Sequence, residues 1–583
     1  MHIRYVFIYP AFLMSIIDWI VLFTTLLLIV LYGIYKSRHI NNIEGFLLSN
    51  RELPWYNVGL SVMATQASAI TFLSAPGLAY TSGMSFVQFY FGLPLAMIVL
   101  CITFVPIFHK LQVFTAYEFL EKRFDIKTRS LTALLFLIQR GVSTGITIFA
   151  PSIILSAVLH IDVFYTTLLI GGIVVLYTTY GGTKAVSYTQ LLQMGIIFGG
   201  LLAAGMMVIH FLPQEIGFVE ALHIAGESNK TNAIDFTLDW NNQYTVWTGL
   251  IGGFFLQLSY FGTDQSQVGR YLTGSSIRES RMGLLMNGLL KIPMQFCILL
   301  IGVLVFVYYQ YNNAPLFFNP TAVAKIENSA VGAEYKQLEL KQEELTNQRV
   351  ATLNRLHEAR SQQDEQELEA SRTQLKQINK ESAALRESAI ALIKTNDSTA
   401  ETNDNNYIFL SFVTSVFPKG LIGLLIAIIM LASMGATSSA INSLASTTVI
   451  DIYKRLLNKN ATEQTYLKMS RILTFGWGIF TIIIALFASK LGNLLEAVNI
   501  LGSLFYGTIL GIFLVAFYFK KIGGSAVFWA AVCTEAIIVG IWLLDIVAFL
   551  WLNLIGCILV ILFGYLLESI LPGRSKQVTS TTN

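Results

Sequence analysis

The stretch Leu421–Lys454, LIGLLIAIIMLASMGATSSAINSLASTTVIDIYK, places many polar side chains in an otherwise apolar segment long enough to cross a membrane. In hydrocarbon, each hydroxyl must bond its own helix, bond a neighbouring helix or line a wet cavity. Two interpretations follow: small residues for close helix packing, or oxygen atoms that replace the water around an ion. The polar positions are Ser433, Thr437, Ser438, Ser439, Asn442, Ser443, Ser446, Thr447 and Thr448.

The composition of the whole chain is that of a polytopic membrane protein. Its 583 residues are 54% hydrophobic and 13% charged, a balance that ordinary soluble domains do not show. Runs of about 20 apolar residues are long enough to cross a bilayer. We count about thirteen, near 15–36, 56–79, 84–108, 129–158, 161–181, 188–212, 245–268, 282–311, 408–448, 469–489, 494–519, 525–545 and 548–571.

Lys and Arg collect in every second loop between these runs, as in 36–51, 110–129, 270–281 and 454–468. Short basic loops stay in the cytoplasm, so the N-terminus is predicted outside and the C-terminus inside. The chain is therefore predicted in the cell membrane, or in the inner membrane of a bacterial cell. The net charge of +3 follows from this loop bias and indicates no nucleic-acid partner.

Side chains that would indicate an enzyme are missing from the sequence. The four cysteines all lie in predicted spans, without the spacing of a metal site or a disulfide framework. We find no nucleophile beside a base and no phosphate-binding glycine loop. Neither an enzyme activity nor an organic cofactor is expected.

Residues 312–405 depart from the membrane composition and are rich in Glu, Gln, Lys, Asn and Ser. Leucines at heptad spacing on both sides of the polar break at 361–367 predict an antiparallel coiled-coil hairpin of two arms of about 30 residues. The loop rule puts this hairpin outside. Three interpretations stay open: a docking surface for an extracellular or periplasmic protein through 331–394, a lid over the outer mouth, or a tolerated insertion.

Two further spans carry polar side chains, 61–74 (SVMATQASAITFLS) and 257–270 (QLSYFGTDQSQVGR). Interrupted helices are tolerated at membrane depth only beside a cavity. Together with 421–454, these spans predict a transporter that holds a cation between two broken elements near the bilayer midplane.

Several single residues in the spans are candidates for function. Tyr260 and Phe261 are candidates for an aromatic gate, with Asp264 close by in the sequence. Arg140 and Lys291 lie inside apolar runs and need carbonyl or carboxylate partners, in a structural pair or in transport.

Six short motifs occur along the chain. They are Phe46-Leu47-Leu48, RELPW at 51–55, Tyr180-Gly181-Gly182, Asp264-Gln265 with Arg270, Asn442-Ser443 and DIYK at 451–454. Their order and spacing resemble the sodium/solute symporter family, which includes the sodium/glucose, iodide and monocarboxylate cotransporters. The resemblance covers nearly the whole chain except 312–405. It implies an all-α polytopic membrane protein with a LeuT-like inverted repeat of five plus five helices.

The resemblance also implies a division of the chain. The parts are an extra helix and a cytoplasmic loop in 1–52, the first repeat in 53–272, the second repeat in 280–519 with the insertion 312–405, two extra helices in 520–573, and a cytoplasmic tail in 574–583.

For the family's main sodium site, the resemblance implies carbonyls at Ala64, Ala67 and Ala432. The two side-chain hydroxyls of that site fall on Gly435 and Ala436, which have none. Hydroxyls within about a turn are the candidates to replace them. These are Ser433, Thr437, Ser438 and Ser439.

A second ion position, which some members build on an aspartate, falls on Gln190. A neutral amide offers one carbonyl oxygen and no charge. Either sodium coupling is weak or absent, or the ion has moved toward the neighbouring hydroxyls.

The solute-binding positions of the sugar-transporting members fall on Thr71, Tyr90, Gln257, Lys291 and Asn499. An acid is expected where this chain has Tyr90, so a galactose-like sugar is not expected. A lysine with no acid facing it favours a small anion or carboxylate.

The sequence therefore predicts a secondary transporter that moves a small polar or anionic solute by alternating access, with sodium as the coupling ion. The alternative is a transporter-like solute sensor or scaffold with weak or no sodium coupling. Flux separates the two, because a sensor binds solute without accumulating it.

Overall fold

The computed structural model describes residues 14–37, 43–159, 161–213, 216–398, 400–488, 491 and 493–570. Within these ranges the chain forms helices joined by loops, and its single β-bridge joins Leu53 and Gly274. The tail predicted for 574–583 lies outside the described residues.

Twenty-two α-helices are described, and short 3₁₀ or π-helical segments extend some of them. They are α1 (Ile16–Ser37), α2 (Ile43–Leu48), α3 (Trp55–Gln66), α4 (Ala69–Ser82), α5 (Leu93–Val99), α6 (Val105–Leu111), α7 (Glu118–Arg123), α8 (Ile126–Leu159), α9 (Val163–His210), α10 (Phe218–Glu227), α11 (Gly253–Thr263), α12 (Gln265–Tyr271), α13 (Ile277–Tyr311), α14 (Pro320–Glu327), α15 (Gly332–Gln362), α16 (Glu365–Asn396), α17 (Asn405–Val416), α18 (Leu421–Thr447), α19 (Glu463–Phe487), α20 (Leu494–Tyr518), α21 (Gly524–Leu543) and α22 (Phe549–Ile570).

Ten helical stretches in the described ranges are long and apolar enough to cross a membrane, and α3 with α4 add an eleventh as a pair bent by 58°. Two predicted spans do not meet this length test. The run 161–181 coincides with a shorter apolar portion of α9, and 245–268 is divided between a π-helical turn, α11 and α12. The run 408–448 forms two pieces, the short α17 and the long α18.

The bend between α3 and α4 lies at Ala67 and Ser68. In a continuous helix the Ser68 N–H would bond the carbonyl of Ala64, but it donates to the carbonyl of Gln66 at 3.1 Å. The Thr71 N–H likewise donates to the Ser68 carbonyl, at 2.9 Å. The carbonyls of Ala64 and Ala67 thus lose their helical partners where lipid offers no water.

Helix α13 packs closely along both halves of this bent pair. A Cβ atom added to Gly59 of α3 would meet the carbonyl oxygen of Gly283 at 2.8 Å, and one added to Gly302 would clash with the backbone of Pro76 of α4. Small residues let the backbones approach this closely. The two contacts show that α13 runs parallel to α3 and α4, past the bend.

Buried charges join the start of α8 to the π-helical segment Thr448–Leu457 that continues α18. Arg129 of α8 donates through Nε to Asp451 at 2.8 Å and forms an ion pair with Glu121 of α7 at 2.7 Å. Thr115 donates to the same Asp451 oxygen at 2.8 Å. Asp451 belongs to the DIYK motif, and its carboxylate links this segment to α8.

The predicted hairpin is confirmed. Helices α15 and α16 have 31 and 32 residues and pack antiparallel. The seam contains the buried residues Leu345, Leu353, Leu356, Leu375 and Ile378, as the heptad spacing predicts.

Ion pairs tie the hairpin to α10 of the membrane domain. Both Arg360 of α15 and Arg372 of α16 contact Glu227, at 3.0 and 2.9 Å. Arg360 also bonds Glu220 at 2.9 Å. The Glu227 carboxylate is 14% exposed, so this contact is shielded more than an ordinary surface pair. The hairpin is therefore held against its own chain.

Replacing Glu227→Gln should loosen the hairpin without unfolding the membrane domain. An amide keeps one acceptor oxygen and no charge, so the contacts with Arg360 and Arg372 should weaken by about 2 kcal/mol. We expect faster hydrogen–deuterium exchange in α15 and α16 only. The control is Glu369→Gln, which removes a 3.7 Å pair between Arg372 and a carboxylate that is 67% exposed. Equal exchange in the two variants would contradict this docking.

Candidate functional site

A central cavity opens at the bend between α3 and α4. Helices α8, α11, α18 and α20 and the 3₁₀ segment Met84–Tyr90 complete its wall. It contains about 730 Å³ of empty space, including its open mouth. Its polar lining residues are Thr65, Gln66, Ser68, Thr71, Tyr90, Arg140, Ser143, Thr147, Gln257, Tyr260, Asn499 and Tyr506.

The sequence-based solute residues fall into two groups. Thr71, Tyr90, Gln257, Tyr260 and Asn499 come from distant parts of the chain and line this one cavity. The remaining two do not line it. Phe261 is fully buried and packs against the Tyr260 ring, with 4.9 Å between centroids, and the position of Lys291 is described below.

Two amide side chains at the cavity have polar atoms without partners. Gln66 donates through Nε2 to Gln257 Oε1 at 3.4 Å. In the described part of the chain, Gln66 Oε1 and Gln257 Nε2 make no hydrogen bond. An unpaired buried polar group costs roughly 1–3 kcal/mol. The pair therefore offers one acceptor and one donor to a bound solute.

Arg140 brings a positive charge to the cavity wall. Its Nη1 lies 3.8 Å from Asp264 Oδ2, too far for a hydrogen bond, and its Nε makes none. Asp264 instead accepts from the Tyr506 hydroxyl at 2.8 Å and from the N–H and hydroxyl of Ser266 at 2.8 and 2.6 Å. Because a guanidinium has five N–H donors, Arg140 retains donors for another acceptor.

Lys291 lies behind the cavity wall. It is fully buried on α13, and its Nζ makes no hydrogen bond to any described residue. The Nζ lies 5.4 Å from the centroid of the Tyr90 ring, within the range of a cation–π contact. The Tyr90 ring therefore lies between the Lys291 Nζ and the cavity.

Sequence reasoning missed the contribution of α8 to the cavity. Ser143 and Thr147 line it together with Arg140. The spacing of these three positions, i, i+3 and i+7, places them on one face of a helix. That spacing in the apolar run 129–158 was the signal that could have identified them.

The region predicted for sodium lies beside the cavity. Ala64 and Ala67 are buried at the bend, where their carbonyls have lost their helical partners. Ala432 is buried on α18, and Ala436, one turn further along, lines the cavity. The face of α18 that carries these two alanines is therefore the face nearest the bend.

Two of the predicted replacement hydroxyls bond helices other than α3. Ser433 donates to the carbonyl of Thr147 on α8 at 3.0 Å. Ser438 accepts from the hydroxyl of Thr178 on α9 at 2.9 Å. Both hydroxyls link α18 to its neighbours.

The other two predicted hydroxyls are those of Ser439 and Thr437. Ser439 accepts from the hydroxyl of Thr65 on α3 at 3.2 Å. Thr437 is fully buried, and its hydroxyl has no hydrogen-bond partner within the described ranges. Ser439 is thus the candidate in contact with the helix that carries the free carbonyls.

The second predicted ion position is filled by the amide of Gln190. Its Nε2 lies 3.2 Å from Thr65 Oγ1, 3.1 Å from Ser439 Oγ and 3.3 Å from the Gly435 carbonyl. Its Oε1 accepts from the Ser61 hydroxyl at 2.6 Å. The amide hydrogens therefore serve oxygen atoms from α3 and α18.

Gly435 has room for a side chain only if the end of the Gln193 side chain moves. A Cβ atom added there would lie 2.6 Å from Oε1 of Gln193, closer than real Cβ contacts allow. A serine at this position would need Gln193 to move. Gly435 therefore leaves space for the side chains of Gln190 and Gln193 of α9.

Comparison with known proteins identifies the family. The model of the sodium:solute symporter family matches residues 46–349 and 382–533. The sodium/sialic acid symporter NanT of Aliivibrio fischeri is 25% identical over 94% of this chain and 92% of its own length. The human sodium/iodide cotransporter is 32% identical over 46% of this chain and 41% of its own length. The sodium-coupled monocarboxylate transporter 1 of Xenopus laevis is 30% identical, over 50% and 47% respectively.

A solved structure shows the fold. The outward-open, substrate-bound state of a Na⁺-coupled sialic acid symporter superposes with a TM-score of 0.73 at 23% identity, over 95% of this chain and 98% of that one. The predicted LeuT-like, all-helical membrane fold is thereby confirmed, and a multi-pass membrane transporter rather than an enzyme is shown. The chain belongs to the sodium:solute symporter family.

Proposed function

We propose that this symporter carries a small organic monoanion inward through the central cavity, driven by sodium. The observation that carries the proposal is the cavity at the bend of α3 and α4, whose lining includes Arg140, Gln66 and Gln257. Within the described part of the chain, Arg140 Nε, Gln66 Oε1 and Gln257 Nε2 make no hydrogen bond. A carboxylate would accept from Arg140 and Gln257, and a hydroxyl of the solute would donate to Gln66.

The charges around the cavity favour an anion. The Arg140 guanidinium lines the cavity and lies 3.8 Å from the Asp264 carboxylate, and the Lys291 Nζ lies behind the Tyr90 ring. Fixed charge at membrane depth is unfavourable unless it is compensated. A solute carboxylate would supply acceptors and a compensating negative charge beside Arg140.

The names of the relatives agree with this solute class. The similar proteins are described as symporters of sialic acid, iodide or monocarboxylates, and each of these is an anion at neutral pH. We propose that the solute of this chain resembles the organic solutes among these, which combine a carboxylate with further polar groups.

Alternating access requires two halves that move relative to one another. We propose that these are the inverted repeats 53–272 and 280–519, with extra helices in 1–52 and 520–573. The bend of α3 and α4 falls in the first repeat and the polar face of α18 falls in the second. Solute and ion would then bind between the halves.

For sodium, we propose carbonyl ligands at Ala64, Ala67 and Ala432, completed by the Ser439 hydroxyl. Thr437, buried with an unpartnered hydroxyl, is the reserve candidate. Sodium, a hard cation, is served by oxygen ligands of this kind. Without hydroxyls at 435 and 436, we expect weak sodium binding in the absence of solute.

A solute sensor or scaffold with little sodium coupling is the second candidate. The observation that favours it is the Gln190 amide, which satisfies the oxygen atoms where a second ion would bind. An outer protein partner for 331–394 stays a prediction. The ion pairs of the hairpin with α10 support an intrachain role instead.

Uptake by the purified protein in liposomes tests the proposal. An inward gradient of sodium, lithium, potassium or protons would be combined with a panel of monocarboxylates, sugar acids, neutral sugars and amino acids. We expect sodium-dependent accumulation of an acid. Solute binding without accumulation in any gradient would favour the sensor.

Arg140→Gln should raise the KM for the anionic solute at least tenfold, because a charge-assisted hydrogen bond to a carboxylate contributes about 1.5–3 kcal/mol. Uptake kinetics would measure it. The double variant Arg140→Gln with Asp264→Asn restores the local charge balance and serves as the control. Recovery of the normal KM in the double variant would show that Arg140 only neutralises Asp264.

Ala436→Ser should lower the half-activating sodium concentration about fivefold, because one added oxygen ligand contributes about 1 kcal/mol. The new hydroxyl would lie at the cavity, near the bend. Sodium titration of uptake would measure this effect. An unchanged titration in a normally expressed variant would mean that the ion binds elsewhere.

Gly435→Ser provides the contrast for this experiment. It adds the same hydroxyl one residue away, but its Cβ meets Gln193. We expect a smaller gain in sodium affinity than for Ala436→Ser, because the end of the Gln193 side chain must move first. A gain equal to that of Ala436→Ser would show that Gln193 yields easily and that both positions face the ion.

A further inference from the structure

A second cavity, here called the hairpin cavity, lies between the hairpin and the outer ends of α4 and α13. It contains about 1460 Å³ of space including its mouth, compared with about 730 Å³ for the central cavity. The membrane domain contributes Tyr80 and Thr81 of α4, Phe306 of α13 and the turn at 227–230. The arms α15 and α16 contribute the opposite wall.

Positive side chains dominate the wall of the hairpin cavity. Lys230, Arg349, Lys376 and Arg386 line it, whereas Glu227 is the acidic lining residue. They come from three separate stretches of sequence, the turn after α10 and the two arms. The folded hairpin therefore gathers cations that the sequence keeps apart.

Ion pairing leaves most of this charge uncompensated. Arg386 pairs with Asp404, and Glu227 is already shared by two arginines outside the cavity lining. Among the described residues, no carboxylate lies within ion-pair distance of Lys230, Arg349 or Lys376.

Arg349 is the clearest of these groups without an ion pair, because the Lys230 ammonium donates to the Thr81 carbonyl and lies 5.2 Å from the Phe306 ring centroid. It is 4% exposed, and its Nε has no hydrogen-bond partner in the described part of the chain. Burial lowers the pKa of Arg349 and of Lys230, because removal from water disfavours the charged form. A buried cation is stabilised by an anion that enters beside it.

We propose that the hairpin cavity is an outer site that concentrates small anions, carboxylates in particular, above the transport path. Helix α4 connects the two cavities: Thr71 lines the central cavity and Thr81 lines the hairpin cavity. Ten residues of helix separate them by about 15 Å. The role in solute capture rests on the proposed function, whereas the anion site itself does not.

One cation of the site lies outside the residues that the family model matches. The family model leaves 350–381 unmatched, and Lys376 lies within that segment. Clustered charge of one sign in a cleft raises the local concentration of counter-ions.

Charged thiol reagents can measure this potential directly in the purified protein. Ala383→Cys would place a thiol on the lining of the hairpin cavity, and Ser388→Cys would place one on an exposed part of the same helix that does not line it. Both would react with a sulfonate-bearing methanethiosulfonate and with its trimethylammonium analogue. The protein without an added cysteine gives the background.

At low ionic strength we expect the ratio of sulfonate to ammonium rates to be about tenfold higher at position 383 than at 388. Lys376→Gln should reduce this excess, and Lys380→Gln, on the same helix but not in the lining, should leave it unchanged. Both lysines are exposed, so neither change threatens folding. Equal ratios at the two thiols, or equal effects of the two lysine variants, would overturn the proposal.

Transport separates this proposal from the proposed function. With an anionic solute, Lys376→Gln should raise the KM severalfold and leave kcat unchanged. If the reagent ratios behave as expected and the KM does not move, the anion site stands, and its part in capturing the transported solute is refuted.

Discussion

The two backbone carbonyls that lose their helical partners at the bend of α3 and α4 constrain the rest of this molecule. Hydrocarbon cannot satisfy them, so the neighbouring helices must present either polar side chains or water at that depth. Helices α8, α11, α18 and α20 do so, and their polar residues form the central cavity. Helix α13 holds both halves of the bent pair through close contacts at Gly283 and Gly302. The cavity is thus the consequence of the bend.

In this chain, a side-chain amide donates hydrogen bonds to the oxygen atoms near the bend. Elsewhere in the family, according to the resemblance, hydroxyls and an aspartate serve an ion at these positions. Here Gln190 donates its amide hydrogens to oxygen atoms of Thr65, Ser439 and Gly435, and Gln193 lies where a side chain of residue 435 would be. An amide contributes hydrogen bonds that do not depend on an ion, so this part of the interface is held together without a bound cation.

The sequence predicted the helical fold more completely than the cavity, and the reasons are physical. Polar residues in apolar runs are conspicuous because hydrocarbon tolerates few of them, and they indicated the polar spans. Thr71, Gln257 and Asn499 came from the family resemblance, and the structure brings them to one cavity. Heptad spacing is a local signal, and it predicted both arms of the hairpin. The docking of Arg360 on Glu227 could not be predicted, because it joins residues 133 positions apart whose exposed charges follow no periodic pattern. Which hydroxyl of α18 faces which neighbour depends on helix rotation, which a uniformly buried helix does not encode.

Sodium and an anionic solute would support each other's binding in such a site. The Arg140 guanidinium lines the central cavity, and its positive charge disfavours a cation bound alone. The carbonyls at the bend provide dipoles but no formal charge, and the Gln190 amide adds none. A solute carboxylate beside Arg140 would offset the guanidinium charge, and sodium would then experience less repulsion. Because linkage is reciprocal, sodium must favour the anion by the same factor. Coupling then arises from charge balance rather than from a strong ion site.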